Sequence, residues 1–262
     1  MRQFLIALQF LTILPIKISA QGACLPARQG SAYGGKSKIS EEDFGKSLLY
    51  FPVVGALIGL VLTLALFLLE FLPTLVIGAF ILILSIVITG GIHLDGFADT
   101  CDGFYGHRPK ERILEIMRDS KIGAMGMIGI VSLLLLKFSL IVSIPQGILW
   151  KVLIVMVAFG RWSQALACYI SEYARKEGKA KCFVEYASGD EFRIGTFFTL
   201  ALFFVLLGLK GVVLFIFSLV PVLVFINYVS KKIGGMTGDT IGAASEISEI
   251  IILFFGLFYL GG

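Results

Sequence analysis

Seven runs of sixteen to twenty-three mostly apolar residues follow one another along this chain, near 48–69, 75–92, 127–144, 148–170, 194–209, 212–229 and 243–260. A helix needs about 20 such residues to cross the hydrocarbon core of a bilayer. Lipid offers no partner to an open backbone amide or carbonyl, so a series of apolar runs of this length is read as helices. The expectation is an all-α, polytopic transmembrane bundle of about seven spans. The range is six to eight, because the run at 194–209 is short and the stretch 4–18 is interfacial, re-entrant or an additional span. Composition agrees. The chain is 57% hydrophobic with 23 Phe and only 15% charged residues, where soluble domains carry about 25% charged. A soluble fold of this length could not hide so much apolar surface.

Charge orients the bundle. Segments 1–47, 94–126, 171–193 and 230–242 hold six, five, five and two of the 22 Lys and Arg residues, whereas the connections near 70–74, 145–147 and 210–211 hold one, Lys210. The positive-inside rule places the four basic segments in the cytoplasm. The net charge of +4 follows from that asymmetry and calls for no nucleic-acid face. The chain is therefore expected to be one integral unit over 1–262 in the cytoplasmic (inner) membrane. Within it, 1–47 is a cytoplasmic or interfacial N-terminal segment, 94–126 an acidic-motif loop and 230–242 a glycine-rich loop. Residues 21–38, rich in Gly, Ser, Ala and Lys, read as a flexible loop. A signal peptide at the N-terminus would force the basic stretch 28–46 across the membrane, and that reading is set aside.

Chemistry concentrates in three stretches. In the first, Asp95, Asp99 and Asp102 recur at i, i+4 and i+7, on one face of a helix, with no Lys or Arg between them. Like charges so close repel one another. A row of oxygen ligands suits a hard cation, Mg²⁺ or Mn²⁺, and these three are the candidate metal ligands and catalytic acids. The plainer alternative is a solvated polar face. His93, two residues earlier, is a candidate base, a ligand or a buried polar group. The second stretch opens with Pro109 and carries Ile113, Leu114, Ile116 and Met117 at the spacing of a short amphipathic surface helix. It closes on Arg118, Asp119, Ser120 and Lys121. Asp119 as a fourth carboxylate, with Arg118 and Lys121 as phosphate-binding cations, completes a metal–phosphate site or is ordinary helix-end polarity. In the third stretch a glycine-rich loop enters the last span and offers free amides to phosphate. That makes Gly235, Thr237 and Gly238 candidate substrate contacts. Asp239 and Glu246 share a face there, and Glu249 lies deeper, where a carboxylate is costly and usually functional. Helix packing through small residues is the alternative. Arg161, in mid-span, either snorkels, pairs with an acid or binds a phosphate-bearing substrate.

These stretches, His-Leu-Asp-Gly-Phe-Ala-Asp-Thr-Cys-Asp-Gly at 93–103, Glu-Ile-Met-Arg-Asp-Ser-Lys-Ile-Gly at 115–123 and Gly-Gly-Met-Thr-Gly-Asp-Thr-Ile-Gly-Ala at 234–243, resemble the cobalamin synthase family, the adenosylcobinamide-GDP ribazoletransferases. Tyr50 to Gly55 and Arg175 to Gly178 also resemble its pattern, and the likeness runs in order from Phe10 to the last span. Lys121 stands where Arg is expected, which keeps the charge but not the bidentate geometry. Cys101 stands where a small residue is usual. The resemblance implies a Mg²⁺-dependent transferase in the last steps of cobalamin biosynthesis. It joins α-ribazole, or its 5′-phosphate, to adenosylcobinamide-GDP, giving adenosylcobalamin or its phosphate and releasing GMP. The implied partners are those two substrates and membrane lipid, with homo-oligomerisation left open.

Two other functions fit parts of the pattern. Asp99 to Gly103 also resembles the opening of the CDP-alcohol phosphotransferase motif, but Phe104 to His107 breaks its continuation. A cation-coupled transporter would use acids along a path, whereas these cluster at one face and no inverted repeat is visible.

Overall fold

The structure, a computed structural model, describes residues 1–15 and 40–260. The loop expected at 21–38 lies outside those residues. Helix α1 (Arg2–Leu11) is followed by α2 (Glu41–Ser47), which runs through a 3₁₀ turn (Leu48–Tyr50) into α3 (Phe51–Leu68). Next come α4 (Thr74–Thr89), α5 (Ile92–Phe104), α6 (Lys110–Ile116), α7 (Ala124–Ser143), α8 (Gln146–Ile170), α9 (Lys181–Glu185), α10 (Gly189–Leu207), α11 (Leu209–Ile233) and α12 (Gly238–Leu260). Among the described residues there is no strand beyond one isolated parallel bridge, Tyr173 to Met236.

Five helical segments are long and apolar enough to cross a membrane: α2–α3 together, α7, α8, α11 and α12. Helix α4 is apolar but short, and passes the same test only when α5, bent from it by 90°, is counted with it. The expected span at 194–209 is α10, whose first turns carry Asp190, Glu191 and Arg193. A single residue, Gly208 at φ +63°, reverses the chain into α11, so the two helices stand side by side and do not merge. Ten-residue α1 is too short to span. Its end is tied to the end of α4, where the Ile13 amide donates to the Ile88 carbonyl at 2.9 Å.

Helix α8 is the axis of the bundle and is buried almost throughout. Helix α3 lies against it through two glycines. A Cβ on Gly55 would sit 2.6 Å from the Val157 carbonyl oxygen, and one on Gly59 2.6 Å from Ile154 Cα. Backbones approach this closely only where the side chain is absent. Around α8, Phe159, Trp162, Phe203 and Phe215 interlock as stacked and edge-on rings. The outward faces present Phe67, Phe71, Phe197, Val205 and Val224, the apolar surface a bilayer would cover.

One difference from the sequence expectation shapes the site. The apolar run at 75–92 does not continue straight. Gly90 and Gly91 take φ values of +64° and +68°, a left-handed pair that ends α4 and turns α5 by 90°. The polar helix is thereby swung out of the line of the span and laid against the first turns of α12 and α7. The short turns 69–73, 144–145 and Gly208 close the opposite end of the bundle.

Candidate active site

Helices α5 and α12 cross at glycines. A Cβ on Gly96 would meet the carbonyl oxygen of Asp239 at 2.6 Å, and one on Gly242 would meet His93 Cα at 3.3 Å. This contact sets Asp95 and Asp99, which flank Gly96 in α5, around Asp239 at the start of α12. The result is concentrated negative charge. Asp99, on the polar helix outside the spans, has its carboxyl pushed up to about 7, by partial burial first and then by Asp239 and Asp95, with Arg175 opposing.

Arg175 is the cation of this cluster. Its Nη1 lies 2.9 Å from Asp239 Oδ2, and its Nη2 donates to the Met117 carbonyl at 3.3 Å. Two backbone hydrogen bonds hold it there. The Met236 amide donates to the Glu172 carbonyl at 2.8 Å, and the Ala174 amide to the Met236 carbonyl at 2.9 Å. The segment after α8 is thus stitched to the glycine-rich loop. Residue-by-residue reading gave Arg175 no role. The available signal was that Arg175 to Gly178 already matched a family pattern.

Asp102 has a different setting. Its Oδ2 accepts the Gly123 amide at 2.7 Å and its Oδ1 the Gly126 amide at 2.8 Å, so the carboxylate caps the positive end of α7. Arg108 donates to the Asp102 carbonyl at 3.0 Å. Helix α6 buries Ile113 and Met117 against α5 and α11. Arg118, Asp119 and Lys121 are exposed beyond it, with the Lys121 amide donating to Asp119 Oδ1 at 3.1 Å. These three line an open groove of about 920 Å³ that Asp102, Arg108 and Arg112 also wall. Among the described residues, no three His, Cys, Asp or Glu side chains converge closely enough to cage a metal by themselves.

The glycine-rich loop differs from expectation. The amides of Gly234 and Gly235 both donate to the Ser230 carbonyl, that of Met236 to Glu172, and that of Thr237 to Thr240 Oγ1 at 2.8 Å. The Thr240 amide returns the bond to Thr237 Oγ1 at 3.2 Å. Amides 234–237 are therefore engaged within the protein, and the expectation that they stand free for phosphate does not hold. Gly235 and Thr237 are buried, and half-buried Gly238 begins α12. What the loop contributes is the placement of Asp239.

Arg161 and Glu246 are not brought to the acidic row. They belong to a buried set inside the bundle. Lys137 Nζ lies 2.8 Å from Glu246 Oε2 and 2.6 Å from Glu249 Oε2, and Arg161 Nη1 lies 3.1 Å from Glu249 Oε1. Arg161 also bonds Ser245. Of the alternatives for Arg161, pairing with an acid from another helix is the one found. His93 is 3% exposed, with Nδ1 lacking a hydrogen-bond partner.

Residues 3–257 match the family described as cobalamin-5-phosphate synthase. The chain belongs to that family. Full-length relatives agree. The adenosylcobinamide-GDP ribazoletransferase of Clostridium acetobutylicum is 35% identical over 100% of this chain and 98% of its own. Its namesake in Alkaliphilus metalliredigens is 36% identical over 100% and 97%, and that of Acetivibrio thermocellus 33% over 99% and 98%. No solved structure matches. As a cobalamin-5-phosphate synthase family member, the chain is an integral membrane enzyme, a transferase of cobalamin synthesis. All three motif stretches lie inside the matched region.

Proposed function

We infer that this chain transfers α-ribazole, or its 5′-phosphate, onto adenosylcobinamide-GDP and releases GMP, with Mg²⁺ required. One observation carries the reading: Asp95, Asp99 and Asp239 meet at the α5–α12 crossing with Arg175 as their single ion-pair partner among the described residues. Three carboxylates against one cation form an undercompensated, oxygen-only donor set, which suits a hard divalent ion. The set is too open to cage that ion unaided, so it fits one that takes its remaining ligands from a diphosphate.

Asp95, Asp99 and Asp239 would hold the ion, with Asp102 as a neighbour already bound to the α7 amides. When bound, Mg²⁺ neutralises the diphosphate and stabilises charge on the departing phosphate. Arg175 steadies Asp239 and adds a fixed positive charge beside the reacting phosphorus. Adenosylcobalamin 5′-phosphate keeps its 5′-phosphate, so the attacking group is another hydroxyl of the ribose. Its oxygen bonds to the phosphorus on the cobinamide side, the bond from that phosphorus to the bridging oxygen breaks, and GMP departs. The hydroxyl proton passes to a carboxylate of the row, a role this reading withholds from His93 because its ring is buried. Metal-engaged carboxylates are poor nucleophiles, so the transfer is direct, without a phospho-enzyme. The basic segments 94–126, 171–193 and 230–242 lie at this end of the bundle, which supports a site facing the cytoplasm from the inner membrane.

The test is turnover by purified protein in lipid nanodiscs. GMP should appear only when both substrates and Mg²⁺ are present, and a chirally labelled diphosphate should give inversion at phosphorus. GMP released in a burst before ribazole is added, or net retention, overturns direct transfer. No corrinoid product at all overturns the assignment.

A further inference from the structure

Two chemically opposite spaces flank the α5–α12 crossing. One is narrow, about 30 Å³, walled by Phe10, Phe51 and Phe183 with His93 and Gln164. It has room for about two waters and for no part of a large substrate. The other is the open groove of about 920 Å³ between α6 and the start of α7, a volume typical of nucleotide-sized ligands.

The groove's charges are unevenly matched. Its walls carry Arg108, Arg112, Arg118 and Lys121 against Asp102, Glu115 and Asp119. Asp102 accepts the Gly123 and Gly126 amides and Asp119 the Lys121 amide, but only Glu115 is ion-paired, with Arg112 at 2.6 Å. Arg108, Arg118 and Lys121 then stand against Asp102 and Asp119, and none of these three cations has an ion-pair partner among the described residues. Arg108 is anchored through the Asp102 carbonyl at 3.0 Å. Tyr105, 56% exposed, supplies an aromatic face on the same wall. Asp102, which walls the groove, lies one turn along α5 from Asp99 of the acidic row.

We propose that this groove seats the nucleoside monophosphate half of the diphosphate substrate, its phosphate on Arg108, Arg118 and Lys121 and its purine against Tyr105. The inference rests on the ribazole-transfer reading and says which substrate lies on which side of the row. Charge decides the assignment. Cleavage leaves a phosphate monoester whose negative charge grows as the bond breaks, and fixed cations act most strongly there. The attacking group is a neutral hydroxyl that needs a base. An aromatic base stacks on Tyr105 irrespective of its sequence edge.

Equilibrium binding of GMP to the nanodisc-embedded protein tests this without turnover. Arg108→Gln and Arg118→Gln should each weaken GMP binding about tenfold, the scale of one charge-assisted hydrogen bond. They should raise the KM for adenosylcobinamide-GDP similarly and leave that for unphosphorylated α-ribazole within about twofold. Tyr105→Ala should weaken GMP but not pyrophosphate. Arg118→Lys should recover part of the affinity, which shows that charge and not folding was lost. GMP affinity unchanged in both Gln variants overturns the proposal, as does a defect confined to α-ribazole 5′-phosphate. Wild-type protein that binds GMP in the groove yet makes no corrinoid product would refute the ribazole-transfer reading and leave the nucleotide site standing.

Discussion

Lys137→Met tests what the interior of the bundle depends on. Lys137 reaches from α7 to both glutamates of α12, and Arg161 of α8 completes a set of two cations and two anions. None of the four side chains is more than 7% exposed. Methionine preserves the apolar length of lysine and removes its charge, leaving two glutamates facing one arginine. A buried carboxylate without a partner escapes by taking a proton. From an ordinary glutamate pKa of about 4.3, at 1.36 kcal/mol per unit, that costs about 3.7 kcal/mol at pH 7. The expected destabilisation is therefore about 3–4 kcal/mol, in line with other broken buried pairs. Adding Glu246→Gln restores neutrality and should return at least about 2 kcal/mol of it, a coupling energy within the range for contacting residues. Acid gives an independent sign. At pH 5 the same protonation costs only about 1 kcal/mol, so the deficit of the single variant should shrink as pH falls. Equilibrium unfolding of wild type, both single variants and the double variant in mixed micelles would measure each term. A Lys137→Met variant within about 1 kcal/mol of wild type, or a double variant no more stable than Lys137→Met, would refute the argument that these charges are held only by one another.

Asp99→Asn removes one charge of the row at little cost in volume, and turnover should fall at least about 10²-fold, on the order of 3 kcal/mol, with the fold intact by circular dichroism. Chelation should abolish turnover in wild type and Mg²⁺ restore it, with Asp99→Asn needing more of the ion for half-maximal rate; turnover indifferent to chelator would remove the metal from the reaction. Gly96→Val places carbon where the Asp239 carbonyl lies 2.6 Å away, so α5 must lift from α12; activity should be lost at a stability cost of about 1–3 kcal/mol, and wild-type kinetics would show that the crossing does not set the site. Arg175→Lys keeps the charge but cannot bridge Asp239 and the Met117 carbonyl at once, and kcat should drop about tenfold while Arg175→Met loses far more; an Arg175→Lys kcat equal to that of wild type would assign Arg175 to charge alone.

Much of the architecture was legible because lipid removes options. A run of apolar residues long enough to cross a bilayer can satisfy its own backbone only as a helix, so α3, α7, α8, α11 and α12 follow from hydropathy with their ends displaced by a few residues. Two features escaped that logic. Span 194–209 lies on α10, whose apolar stretch begins a turn or more after its charged start. The 75–92 run bends because two adjacent glycines adopt left-handed geometry, and hydropathy averages over such a pair without registering it.

The site was legible in its residue types but not in which lone pairs and amides are already committed. The i, i+4, i+7 spacing put Asp95, Asp99 and Asp102 on one helix face, and the structure has them on one helix. That spacing says nothing about Asp102 accepting two amides of α7, a contact across more than twenty residues of chain. The same holds for the glycine-rich loop. Glycines before a helix offer amides in general, yet here Ser230, Glu172 and Thr240 take them first. Arg175 was the converse case, an unremarkable loop arginine until the Tyr173–Met236 bridge carries it to Asp239. The contacts of Asp102, Glu172 and Arg175 join segments far apart in sequence, where hydropathy and spacing carry no signal, while those to Ser230 and Thr240 are local caps. On the proposed reading, a divalent ion and a diphosphate would bind to a framework whose own polar groups are largely satisfied, with Asp95, Asp99 and the groove cations Arg108, Arg118 and Lys121 left without an ion-pair partner among the described residues.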